Sequence, residues 1–273
     1  MALLAALIAG RIVASEPGYS SAHGTKIVHY TLASSLLGRH LGEIAVMPPG
    51  GGKRPLLVLL HGRHDPSPLS WLIPSRSGPE SMVSDSLLSA LAGLGARAPV
   101  VVLLNGGGHS YFHDRRDGRW GSMLLKEAIP DAVGRFGTVP GKVAIGGISM
   151  GGYGALFAAG VAPSRFCAVG GHSPAVWLAG GDSAPGAFDN AEDFARHNLF
   201  AEAAAGRFDH IPVWIDVGSN DPFRVADTTL AAKLRQRGVE VTFHVWPGGH
   251  TESYWHAHMS EYLSFYAAAL AAC

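Results

Sequence analysis

Three residues in this chain could together form a proton relay ending in a nucleophile: Ser149, Asp221 and His250. Ser149 stands in Gly147-Ile148-Ser149-Met150-Gly151, between the apolar run Val143 to Ile145 and the small-residue stretch Tyr153 to Ala159. In a strand–turn–helix setting, a serine at the centre of G-x-S-x-G is forced onto a sharp turn with its Oγ above the sheet. Flanking glycines relieve the crowding around that strained backbone. A chain with 36 Gly in 273 residues also produces such a pentapeptide by chance, as a plain turn with a solvated serine. The weight of the motif therefore depends on its partners.

A hydroxyl is a weak nucleophile at neutral pH unless an imidazole within hydrogen-bond reach takes its proton. A carboxylate then holds the imidazole in one tautomer and stabilises the transient imidazolium. Asp221 lies in Gly218-Ser219-Asn220-Asp221-Pro222, a loop position that can reach a histidine, whereas Asp216 lies inside a strand and is expected to bond a neighbour. His250 follows Gly248-Gly249, which let the backbone turn the ring inward. The rivals sit within predicted elements, His244 in a strand and His256 and His258 in the last helix, where solvated or capping roles are the default. The oxyanion of a tetrahedral intermediate needs backbone N–H donors, expected from Met150 and Arg63. His61, Gly62 and Trp177 are assigned to the substrate-binding surface, His61 also being placed to anchor the oxyanion loop.

These loops need a sheet beneath them. The continuous apolar runs Pro55 to Leu60 and Pro99 to Leu104 predict strands buried on both faces. Further strands are predicted over Lys26 to Ala33, His40 to Met47, Lys142 to Ile145, Arg165 to Val169, Ile211 to Val217 and Val239 to Trp246. Helices are predicted over Ser81 to Leu94, Gly121 to Phe136 with a bend near Pro130, Ala226 to Arg237 and Ser253 to Ala271. Alternation of this kind predicts an α/β fold: a mostly parallel central sheet, helices on both faces, and an antiparallel N-terminal edge. The three functional loops all fall at the carboxyl ends of strands, in the order Ser, acid, His. Residues 1–273 are read as one domain, with 173–211 a Gly/Ala/Asp-rich insertion carrying Trp177, Phe188, Phe194 and Phe200 that reads as a lid.

Bulk properties narrow the partners. Hydrophobic content of 47%, charged content of 15% and a formal net charge of zero describe a globule without a basic field for nucleic acid. The cluster His113-Asp114-Arg115-Arg116-Asp117 neutralises itself. The apolar segment Met1 to Gly10 is too short to cross a bilayer and lacks the basic start and cleavage site of a signal peptide. It is expected to pack as an arm on the domain, with a cytoplasmic location favoured and secretion the alternative. Two cysteines make no disulfide framework, and Cys167 reads as a small buried hydrophobe. His61/His64/Asp65 and His109/His113/Asp114 match no zinc spacing, and Gly106-Gly107-Gly108 lacks the Lys-Ser/Thr of a phosphate loop, so no metal or cofactor is expected.

Gly147 to Ala155, Leu59-Leu60-His61-Gly62, Asp117-Gly118-Arg119-Trp120-Gly121 and Gly249-His250, with Trp255 and Tyr262-Leu263 following, resemble the putative-esterase family of α/β-hydrolases, with its esterase D-like enzymes, feruloyl esterases and mycolyltransferases. The resemblance covers roughly Lys26 to Leu270. It implies the α/β-hydrolase fold, Ser149 as nucleophile, Asp221 and His250 as its partners, and an oxyanion loop at Gly62-Arg63. The expected activity is hydrolysis of small to moderate acyl esters through an acyl-enzyme. Acyl transfer to a sugar or other alcohol is the alternative, and a non-catalytic binding protein on the same scaffold a third reading.

Overall fold

The computed structural model describes residues 18–64 and 78–273. The Met1 to Gly10 arm and Asp65 lie outside them. Eleven strands occur among the described residues: β1 (Tyr19–Ser20), β2 (Lys26–Ser34), β3 (Arg39–Met47), β4 (Leu56–Leu60), β5 (Val100–Leu104), β6 (Asp114–Arg115), β7 (Gly118–Arg119), β8 (Val143–Ile148), β9 (Val169–His172), β10 (Val213–Gly218) and β11 (Val241–Trp246). Nine of them form one sheet in the order β1-β2-β3-β5-β4-β8-β9-β10-β11, and β6 and β7 pair separately. From β5 to β11 all neighbours are parallel, while β1, β2 and β3 form the antiparallel edge.

Burial follows the residue patterns. β4 (LLVLL) and β5 (VVVLL) are buried throughout, as strands covered on both faces must be. β2 alternates buried and exposed residues along much of its length. The helices are α1 (Asp85–Gly93), α2 (Trp120–Met123), α3 (Ile129–Arg135), α4 (Met150–Val161), α5 (Ala191–Arg196), α6 (Leu199–Ala204), α7 (Arg224–Gln236), α8 (Glu252–Ala257) and α9 (Met259–Ala272). One core packs Met123, Ile129, Leu156, Leu230 and Leu234 on one face of the sheet. A second packs Leu87, Leu91, Leu263, Tyr266 and Leu270 on the other. α4 is buried from Met150 to Gly160, so it runs through the interior rather than over it. No described helix is long and apolar enough to cross a membrane.

The sheet order places the site. The chain leaves β4 for β5 on one side, then crosses to β8 on the other. The crevice above the carboxyl ends of β4 and β8 is the switch point where α/β sheets hold ligands. Gly62 follows β4 and Ser149 follows β8.

Several sequence expectations shift. The bend near Pro130 is a π-helical turn over Leu124–Ala128, directly before α3. The predicted strand Arg165 to Val169 is instead Val169–His172, and the last helix is broken at His258 into α8 and α9. Cys167 is not a free buried thiol: it is disulfide-bonded to Cys273, 106 residues away, tying the end of α9 to the approach to β9. Closing a loop of that size stabilises by at most about 4–5 kcal/mol through the unfolded state. Reductant is therefore expected to lower the Tm of the wild type in thermal melts, whereas Cys273→Ser starts lower and does not respond to reductant.

Candidate active site

Ser149 adopts φ +55° and ψ −115°, a conformation costly to a non-glycine residue. Three backbone bonds hold it there. Its N–H donates to the His172 carbonyl at 3.0 Å, and its carbonyl accepts from Tyr153 N at 3.0 Å and Ala175 N at 2.9 Å. The flanking glycines are required by close approach. A Cβ on Gly147 would lie 2.4 Å from the Gly151 carbonyl group, and one on Gly151 would lie 2.1 Å from the Leu60 oxygen. Any side chain there would force β4, β8 and α4 apart.

The turn presents Oγ to His250. His250 Nε2 lies 2.8 Å from Ser149 Oγ, and His250 Nδ1 lies 2.8 Å from Asp221 Oδ2. The other oxygen of Asp221 accepts from Phe223 N at 2.9 Å, so the carboxylate has one orientation. The Asp221 side chain is buried and the His250 ring remains partly exposed. Phe223 and Trp255 flank the ring at centroid distances of 5.1 and 5.0 Å. The three residues picked from separate loops thus meet in one chain of hydrogen bonds.

On the opposite side of Ser149, Gly106 N donates to His61 Nε2 at 3.1 Å, which leaves the proton on Nδ1, and Nδ1 donates to the Gly62 carbonyl at 2.8 Å. Burial lowers the His61 pKa to about 4, so the ring stays neutral. In a trans peptide the carbonyl and the next N–H point in opposite directions. Pinning the Gly62 oxygen to the ring therefore aims the Arg63 amide away from His61. The Met150 amide opens α4, where amides lack intrahelical acceptors and the helix dipole favours negative charge.

A cavity of about 240 Å³ opens over Ser149 and His250. Met82, Ile148, Trp255 and Met259 supply its apolar surface, and Arg63, His64, Ser81, Glu252 and His256 its polar surface. Gly62 borders it as expected, but His61 and Trp177 do not. His61 is fully buried, with both ring nitrogens engaged on the backbone. Trp177 is buried against Tyr111, Phe188 and Phe223. Among the described residues, none of 173–211 lines this cavity. The insertion's contact with the site loops is indirect: Arg63 donates to the Pro185 carbonyl at 3.1 Å.

The sequence profile of the Putative esterase family matches residues 34–266. The chain belongs to this family of esterases. Solved structures similar to this esterase-family chain include a ferulic acid esterase, with a TM-score of 0.74 and 22% identity over 90% of this chain and 98% of that one. The S-formylglutathione hydrolase of Agrobacterium tumefaciens gives 0.70 and 17% over 93% and 98%. FphF, a fluorophosphonate-binding serine hydrolase of Staphylococcus aureus, gives 0.69 and 18% over 92% and 99%. These similarities establish the α/β-hydrolase fold. No curated protein sequence matches the chain significantly.

Within this esterase-family scaffold, part of the cavity wall escaped the sequence reading although its signal was present. Glu252, Trp255, His256 and Met259 recur at the spacing of one helix face, directly after His250. His256 thus reaches the cavity, while His258 stacks on Trp246 at 3.9 Å. Two buried carboxyl groups lie nearby. Asp216 is fully buried and hydrogen-bonded on both oxygens. Asp227 is buried with neither oxygen paired, and burial, together with the Asp221 and Asp216 charges, raises its pKa well above the usual carboxylate range. Away from the cavity, His113, Asp193 and His197 cluster with donor atoms within 4.8 Å. His113 Nε2 donates to the Ala187 carbonyl at 3.0 Å, and His197 Nδ1 lies 3.0 Å from the Asp193 carboxylate. The His113 contact fastens the insertion to the body.

Proposed function

We propose that the protein is a serine carboxylesterase that cleaves small to moderate acyl esters through an acyl-enzyme on Ser149. The Ser149–His250–Asp221 hydrogen-bond chain at the β4/β8 crevice carries this reading. Ser149 Oγ attacks the ester carbonyl carbon as His250 Nε2 takes its proton. Asp221 holds the Nδ1 proton and stabilises the imidazolium that forms. The carbonyl oxygen becomes an oxyanion facing the amides of Met150 and Arg63, each such donor being worth roughly 3–4 kcal/mol in the transition state. Collapse of the intermediate breaks the bond to the alkoxy oxygen, which leaves as the alcohol with the proton from His250. Water, deprotonated by the same imidazole, then attacks the acyl-enzyme and frees the acid and Ser149.

The cavity supports a modest substrate, with Met82, Ile148, Trp255 and Met259 taking apolar atoms. A fluorophosphonate probe tests the reading: it is expected to label Ser149 in the folded protein, located by peptide mass analysis, and to abolish hydrolysis of p-nitrophenyl acetate in proportion. Unlabelled Ser149 in active or folded protein would remove the proposal.

A further inference from the structure

His250 lies on a loop, and a base that must meet Ser149 Oγ to within tenths of an ångström needs that loop held from both sides. The side before His250 is clamped by the end of β10. Ser219 N donates to the Trp246 carbonyl at 2.7 Å, and Asn220 N donates to the Gly248 carbonyl at 2.8 Å. On the other side, Thr251 caps α8, its Oγ1 accepting from Tyr254 N at 3.4 Å. The Tyr254 ring then folds back beneath the loop. A Cβ on Gly248 would lie 2.8 Å from that ring, so loop and ring are in direct contact. The next residue, Trp255, sets its ring edge-on to His250 at 5.0 Å and 86°.

What holds Tyr254 is Asp216. This carboxylate is fully buried and accepts four hydrogen bonds from four elements. Oδ1 takes His172 Nδ1 at 2.7 Å and Trp214 Nε1 at 2.8 Å. Oδ2 takes the hydroxyls of Tyr254 at 2.9 Å and Tyr262 at 2.8 Å. β10 and the loop that follows it therefore control the histidine loop twice: through Asp221 on the imidazole itself, and through Asp216 and Tyr254 on the backbone that carries it.

We infer that Tyr254, anchored on Asp216, is a positioning residue that sets the location of His250. The inference rests on the proposed esterase reading of Ser149 and His250. Tyr262 supplies a matched control, because its hydroxyl bonds the same oxygen but its helix, α9, leads into the core rather than to the His250 loop. Tyr254→Phe and Tyr262→Phe each remove one buried hydroxyl from Asp216 and are expected to lower Tm by similar amounts. Tyr254→Phe is expected to lower kcat and the rate of fluorophosphonate labelling at Ser149 by about tenfold or more with little change in KM, since small misplacement of a catalytic group acts on the chemical step. Tyr262→Phe is expected to stay within about twofold of wild type in both.

Equal kcat losses in the two variants, or wild-type kcat in Tyr254→Phe, would overturn the positioning role while leaving the esterase reading in place. Failure of the wild type itself to label at Ser149 would remove that reading and this role together. Should Tyr254→Phe not fold, Gly248→Ala disturbs the loop from its own side, because its methyl presses on the Tyr254 ring and alanine is strained at φ +140°. Wild-type kcat in folded Gly248→Ala would overturn the proposal.

Discussion

Ser149→Ala is expected to lower ester turnover by about a millionfold, the loss seen when the nucleophile of such a relay is removed. The variant deletes only Oγ. Alanine keeps the Cβ, so the backbone at φ +55° is no more and no less strained than with serine. The bonds from Ser149 N to the His172 carbonyl and from Tyr153 N and Ala175 N to the Ser149 carbonyl are all main-chain and survive. The turn, α4 and the amides of Met150 and Arg63 should therefore remain, and Tm should stay near wild type. The remaining rate would come from those amides and from substrate binding. Steady-state hydrolysis of p-nitrophenyl acetate, alongside a thermal melt, checks both halves. Turnover near wild type in a folded variant would sink the nucleophile assignment.

Asp221→Asn is expected to lower kcat by about ten-thousandfold at neutral pH through the wrong imidazole tautomer. Two hydrogen bonds make the argument specific to this protein. Oδ1 of Asp221 accepts from Phe223 N, and Oδ2 accepts from His250 Nδ1. An asparagine has one oxygen, and the Phe223 amide, fixed at the entrance to α7, can only donate. The oxygen of the amide stays with Phe223 and its NH₂ turns to His250. Nδ1 must then accept, the ring proton moves to Nε2, and Nε2 faces Ser149 Oγ with no lone pair for its proton. Geometry is kept while the base is lost, so fluorophosphonate labelling should slow in step with kcat and KM should change little. A kcat within tenfold of wild type would argue against Asp221 as the partner of His250.

Much of this site was legible from residue types because its backbone demands are local. Only glycine fits at 147 and 151, where Leu60 and α4 crowd the turn, and only a loop after Gly248-Gly249 could bring His250 inward. The buried strands β4 and β5 announce themselves as unbroken aliphatic runs. β9 does not: Val169–His172 reads Val-Gly-Gly-His, too small to look like a strand. The reason lies far away in sequence, for a Cβ on Gly170 would fall 2.0 Å from the Tyr266 hydroxyl of α9. Trp177 and His61, assigned from the sequence to the substrate-binding surface, do not line the cavity. One packs against Phe223 beneath the His250 ring, and the other holds the Gly62 carbonyl.

Residue types and their spacing were enough to mark the residues that could do chemistry, the turn that exposes Ser149, and the alternation of strand and helix, since each depends on side chains within a few positions of one another. Folding across the whole chain was needed to bring Cys167 to Cys273, to set Tyr254 on Asp216, and to wall the cavity with α8 and the segment around Met82. Those outcomes follow from strand order and from how helices cover each face of the sheet. Contacts made across the fold leave no local periodicity or spacing in the chain.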